Sequence, residues 1–132
     1  MLNNEDLKRI SFEIRKNILN MVFKASSGHP GGALSIADIL TYLYFNEINV
    51  DISNPKSENR DRVILSKGHA SAGLYSVLAE KGFFDKNKLN DFRKIDSFLQ
   101  GHPDMNKVPG VDMTAGSLGQ GLSSANGMAI AA

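Results

Sequence analysis

Apolar residues recur at helical spacing from the start of the chain. Leu7, Ile10, Ile14, Ile18, Met21 and Val22 form one stripe, which predicts an amphipathic helix. Asn3 or Asn4 can cap it, and Glu5 and Asp6 suit its positive end. The stretch SSGHPGG, Ser26 to Gly32, breaks the pattern. A second stripe of Ile36, Ile39, Leu40, Leu43 and Tyr44 predicts another helix, opened by Ser35 with Asp38 three residues on as a capping box. The polar run DISNPKSENRD follows, and then Val63, Ile64 and Leu65 form a short buried-strand candidate. A helix is predicted from about Ala70 to Lys81, with Gly82 as its stop. Asp85 caps a shorter one reaching to about Ile95, and residues 96–117 read as a long loop. Such a loop in a compact domain is usually functional or disordered. The last segment, from Gly119 or Gln120, is helical and rich in small residues. Gly119, Gly121 and Gly127 make it marginal without tertiary support.

The pattern contains no internal repeat and no domain boundary. It closes on GMAIAA, inside an apolar helix with no C-cap, and it offers one strand where a sheet needs several. The expectation is the front piece of something larger, with residues 1–132 forming part of one domain.

Composition narrows the function classes. The chain has 132 residues, enough for one core. Its formal net charge is +1 with no basic stripe, which argues against nucleic acid and against a membrane surface. There is no cysteine, so disulfides and thiolate chemistry are excluded. The opening MLNNEDLKRI lacks the basic and apolar regions of a signal peptide, and no apolar run approaches transmembrane length. A cytoplasmic protein is the expectation.

The candidate chemistry lies in the three histidines, His29, His69 and His102, each of which follows a glycine. Glycine is 12 of 132 residues, so this is not a chance arrangement. Each stands at the end of a predicted element, where catalytic groups are commonly placed. A neutral imidazole donates at one nitrogen and accepts at the other, which suits hydroxyl binding and proton transfer. A zinc site is disfavoured, because the histidines are far apart in sequence with no HxH, HExxH or cysteine. A Ser–His–acid hydrolase lacks its GxSxG elbow. The second feature is GSLGQG, Gly116 to Gly121, a glycine-rich turn into a helix. Free N–H groups there suit phosphate or a polar heterocycle. It is neither GxGxxG nor a Walker motif.

Taken together, SSGHPGG (26–32), NRDRVILSKGHASAGLYSVLAEKGF (59–83), FRKIDSFLQGHP (92–103) and PGVDMTAGSLGQGLSSANGMA (109–129) resemble the N-terminal part of transketolase. They stand in family order over nearly the whole chain. Lys67 stands where many members have Asn, Asp104 where many have Glu, and Ser117 where many have Pro. These variants look like the split transketolases made of separate N- and C-terminal subunits. The resemblance implies an α/β fold of the thiamine-diphosphate-binding kind, mostly helical within this piece. It implies transfer of a two-carbon ketol unit from a ketose phosphate to an aldose phosphate, with thiamine diphosphate as electron sink. By the same resemblance, His29 and His102 bind the donor's oxygens and help move protons, and His69 approaches the diphosphate and the reacting centre. Backbone of Gly116, Ser117 and Leu118 holds the aminopyrimidine ring. The metal ion, Mg²⁺ or Ca²⁺, is expected on a GDG…N motif that does not occur here. The implied partners are a C-terminal transketolase subunit or domain and phosphorylated sugars, in a homo- or hetero-oligomer. The competing expectation is a non-catalytic chain that binds a partner subunit.

Overall fold

The computed structural model describes all 132 residues. Its regular elements are helices: α1 (Asn4–Ala25), α2 (Pro30–Leu34), α3 (Ala37–Tyr42, continued by a π-helical turn over Leu43–Glu47), α4 (Ser71–Lys81) and α5 (Gln120–Ala131). 3₁₀ segments at Gly68–Ala70 and Lys86–Asp91 flank α4.

Helix α1 starts where its sequence says it should. The Asn3 side chain accepts from the Asp6 N–H at 2.9 Å, and Glu5 and Asp6 occupy the first turn. Ser11, Ile14, Ile18 and Met21 are its buried stripe, at the i, i+3, i+4 spacing of one helix face. That face lies against α3 and α4. Ser26 ends the helix in the left-handed region at φ 47°.

Helix α4 is the centre of the fold. Every residue from Ser71 to Ala79 is buried, so it has no solvent face at all. Small residues make this possible. A Cβ at Gly73 would lie 3.2 Å from the Ala33 carbonyl oxygen of α2, so bare backbone is what lets α2 approach. Two buried hydroxyls are satisfied within their own helices: Ser76 donates to Ala72 O at 2.8 Å, and Thr41 donates to Ala37 O at 2.7 Å. Gly82 stops α4 at φ 103° with its N–H on Leu78 and Ala79 carbonyls, and Phe83 N–H also bonds Leu78 O. This is the expected glycine stop.

Three expectations need correction. The capping box at Ser35 does not form: α3 begins at Ala37, and Asp38 instead accepts from Ser11 Oγ (2.5 Å) and Arg15 (2.8 Å) on α1. Tertiary ion pairing outcompetes the local cap. Ile39 is accordingly exposed, and the buried face of α3 is Ala37, Leu40 and Thr41. Val63–Leu65 is not a strand, because no neighbouring segment runs beside it to complete a ladder. The short helix capped by Asp85 stops at Asp91, four residues early; Arg93 then turns into the left-handed region at φ 65°.

The long loop is packed rather than loose. Leu99, Val108 and Val111 join the core cluster that contains α4. Gly110, at φ 83°, passes so close to Leu78 that a Cβ would sit 2.7 Å from its methyl. Asp112 is buried and accepts from Arg60 Nη2 (2.6 Å), Arg60 Nε (2.9 Å) and the Val63 N–H (2.9 Å). One carboxylate thus fixes the polar loop, the extended 63–65 segment and the long loop to one another. Helix α5 is continuous despite its glycines, but only Gly121 of it is buried.

Asp112→Ala strands the Arg60 guanidinium, whose side chain is 12% exposed, and should lower stability by about 3 kcal/mol in urea unfolding. Arg60→Met with Asp112→Leu should recover only part of that, because the Val63 N–H still loses its acceptor. Burial, above all, pushes the Tyr44 and Tyr75 phenols above their ordinary value of 10.0; Asp112 adds to this at Tyr44, while at Tyr75 Asp104 adds and Arg93 opposes. Unfolded tyrosines ionise first, so these groups leave stability intact below pH 10 and remove it as pH rises above that. Thermal melts taken across pH 8 to 11 check the sign.

Candidate functional site

The three histidines reach the site from three loops anchored, directly or through neighbours, on α4. After the left-handed turn at Ser26, Gly28 follows at φ 141°. A Cβ there would fall 2.9 Å from a Val22 methyl, so this tight turn excludes a side chain. His29 comes next as the N-cap residue of α2, exposed and with no capping hydrogen bond of its own. Pro30 begins the helix, where its missing N–H is no loss. His29 is therefore held at its backbone while its ring stays free.

His69 sits in the 3₁₀ turn that leads into α4, half-buried. Its ring meets that of His29 edge-on, with centroids 5.2 Å apart at 67°. Gly32 leaves room for this: a Cβ there would touch the His69 ring at 3.4 Å. Lys67 ties the two loops together, donating from Nζ to Gly32 O (2.8 Å) and Ser35 Oγ (2.9 Å).

His102 is exposed, and its loop is pinned to α4 by two buried side chains. Ser71 Oγ donates to Gly101 O and Tyr75 Oη donates to Gln100 O, both at 2.9 Å. Burial, above all, pushes the pKa of that phenol above its ordinary value. The structure thus brings His29 and His69 into contact and joins His102 to them through α4 and Arg93.

The GSLGQG turn is held by backbone. Gly119 N–H donates to Ser66 O (2.9 Å), and Leu122 N–H to Ser66 Oγ (3.2 Å), so Ser66 caps α5 from a distant segment. A Cβ at Gly121 would meet Ser66 Cα at 2.8 Å, and one at Gly68 would meet Ala115 O at 2.1 Å. The turn bearing His69 and the turn opening α5 therefore touch backbone to backbone. Gly116, Ser117 and Leu118 are exposed, and their N–H groups have no partner within the chain. An open cavity of about 230 Å³ lies here, lined by Thr114, Gly116, Ser117, Gln120 and Ser124 among others. Free donors, glycine backbone and an open cavity fit a polar heterocycle such as the pyrimidine of thiamine diphosphate. No three histidine or carboxylate groups converge to hold a metal ion. A cavity of similar size, about 250 Å³ between α1 and α3, is lined by no residue of the GSLGQG turn.

Sequence reasoning missed Ser66, Lys67, Arg60, Asp112 and Arg93 as organisers of the site. Arg60 and Asp112 are 52 positions apart, and nothing local pairs them. The glycine before each histidine was the available signal, and at Gly68 it marks a true close approach.

Comparison with known proteins agrees with this geometry. Residues 7–132 match the family model described as transketolase, thiamine diphosphate binding domain. The chain is 45% identical over 126 residues to the 6-deoxy-6-sulfo-D-fructose transketolase subunit SqwG of Clostridium sp. (strain MSTE9), covering 96% of this chain and 46% of that protein. It is 42% identical to one of the apulose-4-phosphate transketolase subunits of Phocaeicola vulgatus, covering 97% and 45%. Among solved structures, transketolase from Campylobacter jejuni superimposes with a TM-score of 0.90 at 40% identity, covering 98% of this chain and 20% of that one. The chain thus spans about half the length of the subunits it matches and about a fifth of the long transketolases. The α/β fold of that family, seen here in its helical part, and the spacing of the motifs agree, and the chain belongs to the transketolase family through its thiamine diphosphate binding domain.

Proposed function

We propose that this chain supplies part of the active site of a transketolase that moves a two-carbon ketol unit from a ketose phosphate to an aldose phosphate. The carrying observation is the contact of the His29–His69 pair's turn with a turn that offers unpartnered N–H groups. Thiamine diphosphate, when bound, supplies a nucleophilic carbon and an electron sink. Gly116, Ser117 and Leu118 offer its pyrimidine their backbone. His69, half-buried in the turn that touches Ala115, would hold the diphosphate. His29 and His102, exposed and backbone-fixed, bind donor hydroxyl and carbonyl oxygens and pass protons at those oxygens. Gly31, with nothing within 4 Å of where its Cβ would lie, leaves space open near His29 for the sugar.

The metal, Mg²⁺ or Ca²⁺, would be held by residues outside this chain, and the domain would be completed by further sequence. A C-terminal subunit or domain would supply the rest of the site in an oligomer. Support comes from the relatives named as subunits, of which this chain spans under half. The sugars in their names carry an anionic sulfo or phosphate group, in keeping with a phosphorylated sugar here. Cytoplasmic location and the pentose phosphate pathway accompany the same reading. No helix is long and apolar enough to cross a membrane.

In the completed enzyme, His29→Ala and His102→Ala should each lower kcat for a ketose phosphate by about a hundredfold with little change in cofactor affinity. His69→Ala should damage both. Unchanged turnover in His102→Ala would reject the donor-site role. Gly68→Ala forces a methyl against Ala115 O and should lower both the thermal midpoint and cofactor affinity, the latter by about tenfold. Gly116→Ala, with nothing within 4 Å of the added carbon, should leave the midpoint unchanged. Differential scanning calorimetry and cofactor titration separate these outcomes.

A further inference from the structure

Arg93 carries two features that each work against stability. Its backbone lies in the left-handed region at φ 65°, which a residue with a Cβ adopts at a cost. Its Nε is buried without a hydrogen-bond partner, a donor that has given up solvent for nothing. A glycine would remove the first penalty and an apolar side chain the second. Such strain persists where the surrounding structure holds a group for a purpose.

The contacts of the guanidinium show that purpose. Nη1 donates to Ser27 Oγ at 2.8 Å, two residues before His29. Nη2 lies so close along Gly101 that a Cβ there would be 2.8 Å away, and Gly101 immediately precedes His102. The Arg93 N–H donates to Leu99 O at 2.8 Å, which closes the loop back on itself. Beneath the guanidinium, at 5.6 Å, is the Phe92 ring. That ring packs edge-on against Tyr75, whose hydroxyl holds Gln100 O, and it also borders Gly28. A rigid planar fork is suited to fixing two partners at once, which a single ammonium is not.

We propose that Arg93 is a positioning residue that sets the spacing between His29 and His102, its guanidinium hydrogen-bonded to the loop before His29 and packed against the loop before His102. This rests on the reading of those histidines as donor-site groups. The left-handed backbone places the side chain between the loops. Gly101 is bare because the guanidinium occupies the space its side chain would take.

The test uses the completed enzyme. Arg93→Gly suits φ 65° and removes only the fork. It should keep or raise the melting temperature and leave cofactor affinity within about threefold. It should lower kcat for a ketose phosphate by about a hundredfold, the order expected for a reacting group displaced by about 1 Å. Guanidinium chloride at tens of millimolar should restore about tenfold of that loss by refilling the vacated space. Arg93→Lys keeps the charge but cannot reach both loops, and should lose about tenfold. Wild-type kcat in Arg93→Lys overturns the proposal whether or not Arg93→Gly folds. His29→Ala and His102→Ala are assayed beside them. If those lose turnover while both Arg93 variants keep it, only the role of Arg93 fails. If all four keep it, the donor-site reading fails with it.

Discussion

A helix without a solvent face constrains everything around it. Helix α4 buries each residue from Ser71 to Ala79, so its neighbours must be near and its own side chains small where they press. Leu74, Tyr75, Val77 and Leu78 supply the apolar mass, each worth about 2 kcal/mol when fully buried. Gly73 gives α2 its approach. Ser71 and Tyr75 turn the remaining polar atoms into clamps on the Gln100–Gly101 backbone. The same helix begins at the turn that carries His69. Packing and site construction are therefore one problem here, and a change that loosens α4 loosens each of the histidine loops.

The periodic parts of the chain were legible because periodicity is local. The α1 stripe at Ile14, Ile18 and Met21, its Asn3 cap and the Gly82 stop all appear where helix geometry requires them. Ser35 and Asp38 misled because a capping box competes with longer-range bonds, and Asp38 found Ser11 and Arg15 on another helix. Val63 to Leu65 misled because a strand is a property of two segments, and only one is present. Those residues stay extended, but Asp112 receives the Val63 N–H in place of a ladder.

The candidate site was legible as a set of residue types and motif words, and the structure adds how they are held. Gly-His three times over pointed to loops that tolerate no bulk before the ring. At Gly68 and Gly101 that is what the geometry shows, with backbone and a guanidinium in the vacated space. Arg60, Lys67 and Arg93 were invisible as organisers, because a cation's partner lies anywhere in the fold and sequence spacing says nothing of it. The 96–117 loop, read as functional or disordered, showed no element in the sequence for a similar reason. Its order comes from Leu99, Val108 and Val111, three separated apolar residues that reach one core without repeating at any period.

The contact between Gly68 and Ala115 has a consequence for how such a chain diversifies. Two backbones at van der Waals distance leave no side chain between them to lengthen or shorten. The gap between the imidazole turn and the heterocycle turn is a fixed dimension, inherited whole or lost. Any change in what the site accepts must then be made in side chains that project into open space, not in this contact. Relatives named for a sulfo sugar and for apulose 4-phosphate are each over 40% identical to this one short stretch of chain, which is compatible with a shared frame of fixed dimension.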